Sequence, residues 1–356
     1  MKNRQQLILP GVNGDMIFRG NSAGDFIAGR FPAVVLVFLL IITFIPAVSY
    51  SEVSRHKAVF MGTDIEIVIV DEDKDTVDKA VDAVLKKIEE LESVFNDWKE
   101  GTPVSKVNRL ASMGPVEIPP ELYSVIEASL EVSKVTGGAF DITVAAISDM
   151  WKFVPGNKKK PSWFKIRKKR KCVGYENIIL NKEQSSVFFK KEGTVIGLGG
   201  IAKGYVVDIA MQTLANMGVK NAVIKAGGDI RVQGTKEGGI PWEVGIRHPR
   251  RDGEAILSIP LTNTSISTSG DYERYFMSGS KRYHHIIDPS TGYPVKGVQS
   301  VTVIAADTMT SDVLATSLFV LGPEKGMELI EELKGVEAII IDDEGYINYS
   351  SGFRYK

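Results

Sequence analysis

Asp312 and Thr316 stand four residues apart in the run TSDVLATSLFVLG, which starts at Thr310 and follows the apolar segment Ser300–Ala306. On a helix this spacing stacks a carboxylate and a hydroxyl on one face, one turn apart. Two hard oxygen donors side by side suit a cation such as Mg²⁺. The same residue types also serve plain structure, because aspartate caps helix starts and a buried threonine bonds back into its own helix. Which role applies depends on what lies nearby.

Four other stretches carry residue types able to do chemistry. In TGGAFDITVAAISDMW, Gly137 and Gly138 let the backbone approach a ligand, Phe140 offers a flat apolar surface and Asp141 an acceptor; a helix-to-loop corner with a core Phe and a capping Asp is the structural alternative. The run VIGLGGIAKGYVVDIA, from Val195 to Ala210, passes through glycines into a helix. Freed N–H groups there, with Lys203, can face phosphate oxygens, although the glycine spacing fits neither a dinucleotide fingerprint nor a Walker loop. AGGDIRVQG, from Ala226, reads as a tight corner between strands with Asp229 at its exit. The segment Ser265–Val295 gathers Ser269, Asp271, His284, His285 and Asp288. Adjacent histidines on a strand point to opposite faces, so at most one reaches a given site; a core histidine and a proton carrier are both open readings.

These side chains must be held by a framework, and the apolar periodicity outlines it. Met61–Val70 alternates like a half-buried strand, while Val77, Val81, Val84, Leu85, Ile88, Leu91 and Val94 mark a one-faced helix over Thr76–Phe95. Further helices are predicted at Pro120–Val135, Lys203–Met217, Met309–Leu321 and Glu324–Leu333, the first of these ending at the double glycine Gly137-Gly138. Strands dominate from Ser185, including GTVIGLGG, and return at Val336–Ile341. Strand runs mixed with separate helices predict an α+β fold of mixed or antiparallel sheets with packed helices in two intimate subdomains.

The chain has 356 residues, 44% hydrophobic and 24% charged, with a net charge of −1, which gives no global attraction to nucleic acid. One cysteine, Cys172, excludes an internal disulfide and a cysteine-rich metal cluster. Phe31–Val48 is an uncharged apolar run after Arg19 and Arg30 and before Ala47-Val48-Ser49. It reads as an export signal, with an uncut membrane anchor as the alternative. Residues 1–50 are therefore assigned as leader and residues 51–356 as the functional domain, exported and working in the periplasm or on the outer face of the inner membrane. Lys158–Lys171 holds nine basic residues and no acidic one, with Trp163, Phe164 and Ile166 between them. A solvated helix or loop face is the plain reading of that stretch, and contact with anionic lipid the functional one; a nucleic-acid partner is not expected.

Read in order, MGT at Met61, the aromatic and acidic loop around Trp98, GGAFD at Gly137, LGGIAKGY at Leu198, GGDI at Gly227, TSGDYER at Thr268, HIIDPSTGYPV at His285 and the Asp312/Thr316 helix resemble the FAD:protein FMN transferase (ApbE) family over roughly Lys57–Ser350. The resemblance implies that FAD is split at its pyrophosphate and FMN passed to a Thr or Ser hydroxyl of another protein, with AMP released and Mg²⁺ as cofactor. It implies metal ligation by the Ala202 carbonyl, Asp312 and Thr316, and an FAD site lined by Met61, Trp98, Ala139, Phe140, Asp141, Gly199 and Ile286, with Asp208 in the motif beside them; Lys203, read above as facing phosphate, is counted with the same site. The typical acceptors it implies are membrane redox subunits. His285 is the candidate proton acceptor, with Asp271 or Asp288 as alternatives. An FAD pyrophosphatase giving FMN and AMP, and a non-catalytic flavin-binding protein, are the rival readings.

Overall fold

Ile65, Ile67 and Ile69 are buried on one side of the strand Thr63–Asp71, and Val68 and Val70 are buried on the other. The expected half-exposed strand is thus a central one, covered on both faces. This is seen in a computed structural model that describes residues 52–60, 62–71, 73–151, 153 and 160–354. Met61, the leader with its apolar run, Lys158 and Lys159 lie outside the described residues.

Eight strands form the main sheet: β1 (Glu52–Phe60), β2 (Thr63–Asp71), β3 (Ala222–Ala226), β4 (Asp229–Gln233), β5 (Thr264–Gly270), β6 (Val298–Ala305), β7 (Glu337–Asp342) and β8 (Ile347–Tyr349). Their spatial order follows the chain, and each neighbouring pair is antiparallel. An antiparallel meander with inserted helices is the α+β architecture anticipated from the strand runs.

The helices α1 (Lys74–Phe95), α2 (Pro103–Leu110), α3 (Pro120–Val135), α4 (Ala202–Asn216) and α5 (Thr308–Glu332) contribute to one apolar core with the sheet face that carries Ile65, Ile67, Ile224, Val301, Val303 and Ile340. α1 does so because Val77, Val81, Val84, Ile88, Leu91 and Phe95 fall on one stripe, and Asp73 caps its first turn by accepting from Asp75 N–H. α5 breaks at Gly322, where φ is 81°, just before Pro323, so the two segments read from the sequence are the two arms of one broken helix. On the opposite sheet face a second core forms under the hairpin Trp242–Arg247/Ala255–Leu261. A third, smaller cluster joins Ile147, Trp151, Ile166, Phe276 and Ile287. Residues Tyr50–Lys356 make one compact unit.

The expected strand at GTVIGLGG is not one. Residues 193–200 are irregular, and the Asn108 side chain takes the place of a strand neighbour, donating to Ile196 O at 2.8 Å and accepting from Ile196 N–H at 2.7 Å. An amide side chain satisfies both backbone groups without a ladder. That leaves the glycine-rich segment free to turn into α4.

Candidate active site

The site is assembled where α4 crosses the start of α5. At Gly204 the backbones are so close that a Cβ would lie 2.5 Å from Thr308 O and 2.7 Å from Met309 Cα, so only glycine fits. The crossing brings Gly204 N–H within 3.1 Å of Asp312 Oδ2 and Lys203 Nζ within 3.4 Å of the same oxygen. β4 supplies a second carboxylate, with Asp229 Oδ2 3.0 Å from Lys203 Nζ. Asp229 follows the two-residue Gly227–Gly228 turn, where Gly227 has φ +62° and a Cβ on Gly228 would stand 2.6 Å from Thr268 O.

Two buried carboxylates thus share one ammonium. Burial, then the Asp229 charge, pushes the Asp312 carboxyl up to about 7. Burial alone would lower the Lys203 ammonium, but Asp229 and then Asp312 outweigh it and hold it above its ordinary range. One turn beyond Asp312, Thr316 Oγ1 lies 3.3 Å from Ser269 Oγ. Gly200 keeps the adjoining space open: a Cβ there would be 3.5 Å from Thr316 Oγ1 and 3.3 Å from the Phe140 ring.

The donor set fits a hard divalent cation. The Asp312 carboxylate lies against the first turn of α4, which begins at the buried Ala202, and the Thr316 hydroxyl lies beside Gly200 just before it; two acids there face one ammonium, leaving a negative excess. Among the described residues no group of three His, Cys, Asp or Glu side chains gathers at metal-binding spacing. Mg²⁺ does not need one, since it is held by one or two carboxylates completed by neutral oxygens and substrate phosphates.

The other sequence-derived residues divide by what they touch. His284 is buried, its Nε2 2.9 Å from Val295 O and its ring edge-on to Phe319, and burial holds its imidazole below the usual range. His285, the next residue, leaves Nδ1 buried without a partner; burial, then His284, Arg274 and Lys203, lower it to about 3. The strand Lys281–His284 ends at the first of the two histidines and His285 opens the bend that follows, so the expected alternation along a strand does not extend to it. Asp271 accepts both Arg250 guanidinium nitrogens at 2.7 Å and Arg282 at 2.9 Å. Asp288 accepts from Ser290 N–H at 2.8 Å and Ser290 Oγ at 2.7 Å, closing the turn to Gly292. Of the three proton-acceptor candidates, His285 is the one whose unengaged side-chain atom is buried; both bonds to Asp288 fall on Oδ1, which leaves its Oδ2 without a hydrogen-bond partner among the described residues.

Phe140 is buried beside Gly200, and Ala139 precedes it in the same corner. Asp141 accepts from Thr143 N–H, Thr143 Oγ1 and Tyr175 N–H at 2.6–2.8 Å, which fixes that corner. Gly199 is exposed, with its carbonyl 3.3 Å from Lys203 Nζ, while Ile286 is buried between the histidine strand and Val295. Trp98 is 68% exposed. Asp208 accepts from Thr308 and Met309 N–H at 2.8 Å and pairs with Arg231 at 2.8 Å, so its carboxylate anchors the start of α5. Asp229 was absent from the sequence-derived site residues, and GGDI was its only signal. Asp97 was also missed: burial, then Asp149, raises it to about 6, and it sits near Gly197. A cavity of about 690 Å³ borders the Gly227–Gly228 turn and is lined also by Lys57, Lys225, Arg247 and Tyr272.

A sequence model of the ApbE family matches residues 61–340. The chain belongs to the ApbE family. It is 33% identical to the FAD:protein FMN transferase of Haemophilus influenzae over 82% of this chain and 87% of that protein. The FAD:protein FMN transferase of Treponema pallidum is 31% identical over 78% of this chain and 80% of its own length. Among solved structures, the ApbE protein of Thermotoga maritima superimposes with a TM-score of 0.78 at 36% identity, covering 84% of this chain and 97% of the other. The flavin transferase ApbE of Vibrio cholerae gives 0.75 at 28% identity, over 85% and 98%.

Proposed function

We propose that this chain is an FAD:protein FMN transferase that uses Mg²⁺. The observation that carries the reading is the Lys203–Asp229–Asp312 cluster with Thr316 one turn away, at a glycine-built crossing of two helices in an ApbE-family fold. Asp312, Thr316 and the Ala202 carbonyl would hold the ion, which when bound supplies charge neutralisation for the FAD diphosphate. Lys203 adds a fixed positive charge beside the same oxygens, and Phe140 with the Gly199–Gly200 backbone shapes the wall against which the dinucleotide lies.

In the reaction an acceptor Thr or Ser oxygen attacks the phosphorus on the FMN side of the anhydride. The new P–O ester forms as the bond to the AMP phosphate breaks, and AMP leaves with the electron pair. The hydroxyl proton passes to His285, whose neutral ring has its Nδ1 free. The cationic form of His285 is disfavoured by burial and by Arg274 and Lys203, and a bound diphosphate offsets both positive charges, so the ring becomes a better base when substrate is present. Asp271, gripped by Arg250 and Arg282, orients the segment that carries the histidines. Acceptors are membrane redox subunits, and the enzyme works outside the cytoplasm, as the apolar run Phe31–Val48 supports.

Incubation of the chain with FAD, Mg²⁺ and an acceptor bearing a Thr or Ser flavinylation site tests the reading. A covalently fluorescent acceptor band and an equal amount of AMP support it. AMP with free FMN and no labelled acceptor replaces it with hydrolysis, and retained FAD without AMP replaces it with flavin binding.

A further inference from the structure

The basic stretch noted in the sequence plays no part in the flavin site. Trp163–Arg170 forms a helix held to the protein by Ile166, which is buried with Ile147, Trp151 and Ile287. Its remaining side chains face solvent: Trp163 is 59% and Phe164 71% exposed, and Lys165, Arg167, Lys168, Lys169, Arg170 and Lys171 are all exposed. Among the described residues none of those six cations forms an ion pair with an acid. In a chain of net charge −1, this is a strong local excess of positive charge beside two exposed aromatic rings, with the Arg167 guanidinium 5.2 Å from the Trp163 ring centre.

We propose that this helix is a docking face for an anionic lipid surface. Five consecutive cations, Arg167–Lys171, surround a full helical turn, a distribution that suits a diffuse layer of lipid phosphates better than the matched, directional pairs of a protein interface. Trp163 and Phe164, next to each other at the helix start, are the ring types that settle at the headgroup level beside such cations. The sequence gives a second, separate reason for a membrane partner: the export-signal reading of Phe31–Val48 carries the chain across a membrane, and the uncut reading tethers it to one.

The docking face adjoins the flavin site. A Cβ on Gly292 would come within 2.6 Å of Ile166 Cγ2, and Arg170 donates to the Ser290 carbonyl. Gly292 and Ser290 belong to the turn that follows His285 and Ile286, and Trp151 Nε1 donates to Gly292 O at 3.1 Å. Lipid bound to this helix therefore holds the histidine segment near the bilayer, where a membrane-embedded acceptor presents its hydroxyl. This last step rests on the proposed transferase reading, but lipid docking itself does not.

The test uses the compact unit Tyr50–Lys356, in which the three apolar cores are complete, so that the apolar run 31–48 adds no affinity. With Cys172→Ser removing the one native thiol, Ser162→Cys takes a fluorophore beside the aromatic pair. Vesicles of phosphatidylcholine, with or without phosphatidylglycerol, carry a nitroxide on the lipid chains. Quenching on the anionic vesicles, little on the neutral ones, and roughly 100-fold weaker binding of the Lys165→Gln/Lys168→Gln/Lys169→Gln variant are expected, at about 1 kcal/mol for each cation. The same label in the full chain reads the same contact if the shorter unit proves unstable. Absence of quenching on anionic vesicles overturns the proposal, as does binding indifferent to the three cations. A triple variant that loses transfer to a soluble acceptor without vesicles assigns the helix to a protein partner and overturns it too. Loss of lipid binding with soluble transfer intact supports it, and failure of flavin transfer in every variant tells against the enzyme reading alone.

Discussion

Gly204→Ala is the substitution that most directly probes how the site is held. The added methyl would meet Thr308 O at 2.5 Å, Met309 Cα at 2.7 Å and Thr308 C at 2.8 Å. All three are backbone atoms, so no side-chain rotation relieves the clash. An ordinary carbon contact of about 3.5 Å requires α5 to move from α4 by roughly 1 Å. Overpacking of this kind costs about 1–3 kcal/mol, or roughly 2–10 °C of melting temperature for a domain of this size. The same movement pulls Asp312 from the Gly204 N–H it accepts at 3.1 Å, and a misplacement of about 1 Å near reacting groups costs on the order of 100-fold in rate. Thermal unfolding and initial rates of AMP release, measured on one preparation, read both effects. A variant with unchanged melting temperature and unchanged rate would refute the close crossing and the argument built on it.

Other substitutions separate the roles assigned above. Asp312→Asn should abolish AMP release while raising the metal-free melting temperature near pH 8. The folded carboxyl is raised from 3.8 to about 7, so its ionised form destabilises the fold above that range, and the gain should fade toward pH 4; calorimetry across pH checks it. His285→Gln should slow transfer and also flatten the acid limb of stability. With the ring lowered from 6.5 to about 3, the unfolded chain takes up a proton that the folded one refuses, so stability is lost as pH falls from 6.5 toward 3. Urea unfolding at pH 6.5 and pH 5 should show wild type losing about 2 kcal/mol more than the variant. Asp208→Ala removes two N–H acceptors from the start of α5 and strands Arg231, so it should cost about 1–3 kcal/mol in chemical denaturation.

Local patterns were legible in the sequence, and long-range partners were not. The stripe of α1 and the double-glycine stop of α3 gave their helices to within two residues, because periodicity and capping are local physics. Asp312 and Thr316 were visible as a pair through their spacing on one helix. Lys203, which lies against Asp312, stands 109 residues away in the chain, and no spacing rule relates the two. Asp229 looked like a turn residue for the same reason: its role emerges only once β4 faces α4. The glycine-rich entry to α4 looked like a strand because its apolar alternation is real, but Asn108 takes up the backbone groups that a ladder would have used. β2 looked half exposed because nothing local announces that the Trp242–Leu261 hairpin covers its second face.

Crystals of the chain soaked with Mn²⁺ in place of Mg²⁺, together with a non-cleavable FAD analogue, provide the most direct test of the site, since anomalous scattering locates the ion. The account predicts a peak bounded by the Asp312 carboxylate, the Thr316 hydroxyl and the Ala202 carbonyl, in contact with the diphosphate. A diphosphate bound with the ion elsewhere, or with Lys203 alone neutralising Asp312, would contradict it.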